Sequence, residues 1–129
     1  MSEKFTVEII SPENSIIKTS TSEVIIPSFE GEMGILKDHI PLITFLRPGI
    51  IKITGEKDKK FFVEDGTVEF SNNNLLILSS TVKELSNLEK NLIDTLISEA
   101  ERKISSADKT DKEKYILSYK IDTLKNINR

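Results

Sequence analysis

The sequence has no cysteine and no tryptophan, one histidine and two tyrosines. Without cysteine, disulfides and thiolate metal sites are excluded. The lone His39 has no second His or Cys with which to form a metal-ligand set. The missing tryptophan argues against an aromatic groove for peptide or sugar, as a free-standing adaptor would need. No apolar run approaches the roughly 20 residues needed to span a bilayer. Met1-Ser2-Glu3-Lys4 leads straight into an alternating strand pattern. It has neither the apolar centre of a signal peptide nor the Arg-rich, acid-poor character of a transit peptide, so the expected compartment is the cytoplasm. Lys and Arg number 18 against 21 Asp and Glu, giving a net charge of −3. That balance excludes nucleic acid as an expected partner, since phosphate binding needs clustered cations. A nucleophile elbow, a P-loop, a dinucleotide-binding glycine motif and a His-Glu-x-x-His zinc motif are all missing. No cofactor, metal site or catalytic residue is therefore expected.

Glycine and proline are also missing, but only from half the chain. All five glycines and all four prolines lie within the first 66 residues. Both residues punctuate turns and disfavour helix interiors. The front is therefore turn-rich, and the back is free to be helical. The hydrophobic share of 37% and charged share of 30% are those of a soluble globular chain, and 129 residues suffice for one ordinary domain or one small domain with an appendage.

The front reads as short strands. Phe5, Val7 and Ile9 alternate with Thr6 and Glu8, which places the apolar set on one face. Ser22–Ile26, Ile50–Ile53, Phe61–Val63, Thr67–Phe70 and Leu75–Leu78 follow, separated by turn residues. This spacing predicts an antiparallel β-sandwich or flattened barrel over residues 1–85. The period then changes. Leu88, Leu92, Ile93, Leu96, Ile97, Ala100 and Ile104 form one helical stripe, with a capping box at Ser86–Glu89. Thr110–Glu113 is a second capping box, before a helix carrying Leu117, Ile121 and Leu124. The expected fold is α+β and mainly β: the sandwich, then an antiparallel two-helix hairpin over 86–129. Burying about eight medium apolar side chains at ~1.5–3 kcal/mol each yields a gross gain that ordering entropy largely cancels. Such a hairpin must lean on the sandwich or on a partner.

One segment stands apart. Ile26 to Ile50 holds three glycines, three prolines and the histidine: I-P-S-F-E-G-E-M-G-I-L-K-D-H-I-P-L-I-T-F-L-R-P-G-I. It reads as strand, a turn with two acids, a rigid apolar strand and another turn, with Gly31 or Gly34 supplying a positive φ. Ile40, Leu42 and Phe45 are expected to point into the core. The segment closely resembles the signature of the epsilon subunit of bacterial F-type ATP synthase, whose mitochondrial counterpart is called delta. Glu30 to Leu36 carry E-G-E-x-G-I-L, His39 to Thr44 carry H-x-P-L-x-T, and Arg47-Pro48-Gly49 the R-P-G turn. Val7 to Glu13 is also similar to the family's opening strand.

The resemblance implies a sandwich plus helical hairpin with no catalysis of its own. It implies a central-stalk role, coupling the gamma subunit to the membrane c-ring at the cytoplasmic face of the bacterial plasma membrane. Residue by residue, Glu30, Gly31 and Glu32 match the c-ring contact, and Ser11, His39 and Thr44 match positions against gamma. Lys112, Lys114 and Lys120 on the second helix match a basic surface that meets the catalytic beta subunits when the hairpin extends to brake ATP hydrolysis. An alternative reading is an ATP sensor whose hairpin closes on nucleotide. ATP-responsive members show I-D-x-x-R-A at the first helix; here Leu88–Ile93 puts Leu92 at the arginine position, an alternative register over Ile93–Ser98 has the I-D but again no arginine, and Arg129 is the second helix's only arginine.

Overall fold

The computed structural model describes residues 3–127. Met1 and Ser2, and Arg129 of the expected second helix, lie outside the described residues. The strands are β1 (Phe5–Ile10), β2 (Ser15–Thr21), β3 (Glu23–Ser28), β4 (Gly31–Leu36) and β5 (Leu42–Leu46). They continue as β6 (Gly49–Ile53), β7 (Lys59–Val63), β8 (Gly66–Ser71), β9 (Asn74–Leu78) and the short β10 (Lys83–Glu84). Two helices follow, α1 (Lys90–Ile104) and α2 (Asp111–Ile127). Hydrogen bonding runs β10-β7-β6-β3-β5-β8-β9-β1-β2, with β4 on the side of β3.

This ribbon folds into two layers. Val24, Ile26, Ile35, Ile51, Ile53, Phe61 and Val63 face Phe5, Val7, Ile9, Leu46, Val68, Phe70, Leu75 and Ile77 across one core. The layers join where Ser28 of β3 pairs with Leu46 of β5. The Arg47 N–H donates to the Pro27 carbonyl at 2.9 Å, fastening that seam. Gly49 sits against it: a Cβ there would meet the Pro27 ring at 2.4 Å, which is why the turn needs glycine. One departure from the antiparallel expectation is β1 on β9, which run parallel. They lie at opposite ends of the sandwich sequence, so no crossover helix is needed.

The expected strands all appear, and three more form beside them, the two-residue Lys83–Glu84 among them. Ser15–Thr21 is a strand with a polar outer row, and Gly31–Leu36 is a strand where a turn was expected. The turn itself is Phe29-Glu30, closed by Gly31 at φ 129°, so Gly31 and not Gly34 takes the positive φ. β7 is buried on both faces. Phe61 and Val63 point into the main core, whereas Phe62 points out and packs with Ile93 and Leu124 of the helices. That second cluster, joined by Ile50, Leu85, Leu88, Leu96 and Ile97, docks the hairpin.

The second capping box forms as expected. The Thr110 N–H donates to the Glu113 carboxylate at 3.0 Å and the Glu113 N–H to the Thr110 hydroxyl at 3.1 Å. The first does not form. Leu85–Asn87 is a single 3₁₀ turn, and α1 starts after Glu89 with no side-chain cap. Packing of Leu85 and Leu88 against the Phe62 cluster sets the chain direction there and overrides the local signal.

Candidate functional site

Strand β5 reads Leu42-Ile43-Thr44-Phe45-Leu46, apolar at four of five positions. Only alternation can decide which way each side chain points. Leu46 sits in the core and Thr44 is 8% exposed, so Ile43 and Phe45 face solvent, at 74% and 58% exposure. The expected inward placement of Phe45 and Ile40 is thereby corrected: both are exposed, and Leu42 alone packs partly against the core. The physical reason is that Leu46 must fill the core beneath the seam, which fixes the parity of the strand.

The cross-strand register extends this outward set over the sheet. Phe45 lies opposite Thr67, Thr67 opposite Leu78, and Leu78 beside Ile10. Next to that row runs Ile43, Glu69, Leu76 and Glu8. The result is an apolar face with two carboxylates, opening at one end into a cleft of about 1050 Å³ walled by Phe29, Phe45, Leu78, Ile10 and Ser11. Ser11 closes the β1–β2 turn there; its N–H donates to the Asn14 carbonyl at 2.9 Å. His39 stands at the opposite end. Its ring meets Phe70 edge-on at 6.0 Å, and its Nδ1 lies 2.7 Å from the Ile40 carbonyl oxygen. Ser11 and His39 thus bracket the face, while Thr44 lies beneath it. The sequence reading missed Ile43, Leu76 and Leu78, because an unbroken apolar run hides its own alternation.

A second surface is the tip of the β3–β4 hairpin. Ser28 pairs with Gly31 and its hydroxyl donates to the Gly31 carbonyl at 2.6 Å. This stiffens a two-residue turn from which Glu30 and Glu32 project into solvent beside the exposed Phe29.

Comparison with known proteins places this architecture. The family described as "ATP synthase, Delta/Epsilon chain, beta-sandwich domain" matches residues 4–84. The chain belongs to the ATP synthase delta/epsilon family. It is 48% identical to the ATP synthase epsilon chain of Pelagibacter ubique, covering 99% of this chain and all of that one. It is 33% identical to the epsilon chain of Parvibaculum lavamentivorans, over 98% of this chain and 97% of that one. Among solved structures, a chain of the Euglena gracilis mitochondrial ATP synthase (OSCP, F1 and c-ring) superposes with a TM-score of 0.75 at 19% identity, covering 95% and 78% of the two chains. A chain of the Tetrahymena thermophila central stalk and c-ring gives 0.65 at 13% identity, covering 99% and 98%. Both structural likenesses concern the fold.

The helices of this epsilon-family chain divide the three lysines singled out from sequence. Lys112 and Lys114 are exposed at the start of α2, and Lys112 also reaches the cleft beside Ser11. Lys120 faces the sandwich, 12% exposed, with its Nζ 2.9 Å from a Glu64 oxygen. One turn earlier Tyr115 stacks edge-on against Tyr119, and Arg47 lies over the Tyr119 ring at 3.9 Å. Among the described residues no group of three or more His, Cys, Asp or Glu is placed to hold a metal ion. No helix among them is long and apolar enough to cross a membrane.

Proposed function

We propose that this chain is a non-catalytic central-stalk subunit of a bacterial F-type ATP synthase, peripheral at the cytoplasmic face of the membrane. In this reading the sandwich clamps gamma to the c-ring so that torque passes without slip. The observation that carries it is the outward row Phe45–Thr67–Leu78–Ile10, lying between Ser11 and His39 on a chain whose relatives are epsilon chains. Large apolar side chains at this exposure have little reason to face water on a lone sandwich, and each gains roughly 1.5–3 kcal/mol on full burial. Gamma is the partner that would cover them. Thr44, being interior, would act by holding β5 in register, and Ile43 and Phe45 would make the contact on that strand.

The Glu30–Gly31–Glu32 tip would meet the polar loops of the c-ring. The stiff turn suits a contact that must transmit force. The hairpin would brake ATP hydrolysis by leaving the sandwich and presenting Lys112 and Lys114 to the catalytic beta subunits.

Phe45→Lys tests the gamma face. The side chain touches solvent, so the fold should survive, whereas a lysine at the centre of an apolar contact should weaken gamma binding by more than about tenfold. A cysteine at His39 or Ile43 should cross-link to gamma in the assembled enzyme. Unchanged gamma affinity in Phe45→Lys, with cross-links only to other proteins, would refute the reading.

A further inference from the structure

Among the described residues, an apolar cluster and two polar contacts fasten the hairpin to the sandwich, and these do different jobs. The Phe62–Ile93–Leu124 cluster is separate from the main core and hides apolar area without demanding one orientation. The polar contacts are directional. Arg47, on the turn between β5 and β6, places its guanidinium 3.9 Å from the Tyr119 ring centroid, and its Nε is buried without a protein hydrogen-bond partner. A partly buried cation of this kind gains from an aromatic face. Glu64, just past β7, holds Lys120 at 2.9 Å. Tyr119 and Lys120 are neighbours on α2, so two points at one end of the β6–β7 ladder, flanking the Gly49–Val63 pair, converge on one half-turn of helix.

Two other ion pairs of the helices, among the described residues, have a different geography. Lys125–Glu101 joins α2 to α1 at 3.3 Å, and Lys109–Glu113 lies within the hairpin at 3.8 Å. A hairpin that lifts off as a unit keeps both of these. It gives up Lys120–Glu64 and Arg47–Tyr119.

We propose that Arg47 and Glu64 form a two-point latch that holds α2 against β6 and β7 and keeps Lys120 from any partner while the hairpin is docked. Glu64 is thereby an internal competitor: an acidic surface that takes Lys120 must first displace it. The latch biases a two-state equilibrium, so weakening it shifts the population without altering either state's internal contacts. It is a property of this chain alone, and only its consequence for the brake rests on the function proposed above.

The cysteine-free sequence makes the test direct. Dyes on Lys59→Cys and Asp122→Cys, both exposed positions, report the sandwich-to-α2 distance by single-molecule energy transfer in the isolated full chain. The parent should show chiefly the short distance. Glu64→Gln and Tyr119→Leu should each raise the long-distance population several-fold to about tenfold. The charge swap Glu64→Lys with Lys120→Glu should restore the short distance, which a merely misfolded variant would not do. Raising salt from about 0.05 to 0.5 M should release the parent more than Glu64→Gln, because it screens the partly exposed pair. Unchanged distances in both single variants, with release only in Phe62→Ala, would make the apolar cluster the sole fastener and overturn the latch. Failure of the swap to restore docking would overturn its ionic half. In assembled enzyme Glu64→Gln should lower ATP hydrolysis; unchanged hydrolysis beside a released isolated hairpin would overturn the brake and leave the latch standing.

Discussion

Asp38 and Asn73 hold each other by two reciprocal hydrogen bonds across the end of the sandwich. The Asp38 N–H donates to the Asn73 side-chain oxygen at 2.7 Å, and the Asn73 amide donates to the Asp38 carboxylate at 2.9 Å. Both residues are left-handed, at φ 65° and 57°. Asp and Asn are the non-glycine residues that adopt this conformation most readily. The Asn73 carbonyl also accepts from the Thr6 N–H at 3.0 Å. The loop that carries His39 is therefore tied to both the β8–β9 turn and β1.

Asn73→Ala should lower stability by about 2 kcal/mol, combining the lost hydrogen bonds with the cost of a β-carbon at positive φ. Asn73→Gly loses the same bonds but not the conformational ease, so it should cost roughly half as much. Urea unfolding of the two variants measures the split. Equal losses would remove the conformational share.

Such ties are not legible in sequence, because Asp38 and Asn73 are 35 residues apart and nothing local announces the pairing. What was legible followed from period and punctuation. The strands with alternating apolar residues, the sandwich-to-hairpin change and the Thr110–Glu113 box are all local signals, and all appear. The misses share one cause. Ser86–Glu89 looks like a cap, but Leu85 and Leu88 answer to Phe62 of β7. Leu42–Leu46 is too uniformly apolar for its parity to be read, so the outward face built on Ile43 and Phe45 emerged only with the register. Lys120 looked like its neighbours until Glu64 met it.

Glu32→Lys should leave the fold nearly unchanged, by less than about 0.5 kcal/mol, since Glu32 is exposed on the strand that borders only β3. On the proposed c-ring contact, coupling of proton flow to ATP synthesis should nonetheless fall, because a reversed charge at the hairpin tip would repel a basic loop there. Membrane vesicles carrying the variant enzyme measure both rates. Full coupling in a folded variant would remove Glu32 from the c-ring contact.

Truncation after Ser86 should leave a folded sandwich. Its main core draws only on strand residues, with Val82 packed at the edge. The cost lies elsewhere: Phe62, 1% exposed in the full chain, loses its helical cover. Exposure of that ring should remove roughly 1.5–3 kcal/mol. Complexes with the truncated chain should still assemble and should hydrolyse ATP faster. A sandwich that fails to fold would show the hairpin to be obligatory, and an unchanged hydrolysis rate would show it to be no brake.

Acid should loosen the start of α2. The hydrogen bond from the Thr110 backbone N–H, reinforced by the Thr110 side chain, holds the Glu113 carboxyl below the ordinary glutamate range. A carboxyl depressed in the folded state stabilises it above its unfolded pKa and loses that contribution as pH falls through the folded value. The contribution should thus be complete at neutral pH and decay below the usual glutamate range, about pH 4.3. Circular dichroism during acid titration should show helix loss in that window, and Glu113→Gln should flatten it. An identical acid profile in the variant would assign the loss to other carboxylates.

The final prediction separates a stalk subunit from a nucleotide sensor. A triphosphate site depends on charge-assisted contacts from convergent cations. At the position where ATP-responsive relatives carry arginine, this chain has Leu92, an exposed apolar side chain on α1. Lys90 and Arg102 lie on the same helix but stand about 18 Å apart along it, at 1.5 Å per residue, too far to grip one triphosphate together. Lys120, long enough to swing toward a ligand from α2, is engaged by Glu64. The isolated protein should therefore bind no ATP at low-millimolar nucleotide, by calorimetry or by amide-shift titration. A saturable response in the micromolar range, centred on residues 86 to 100, would overturn this and make the hairpin a sensor in its own right.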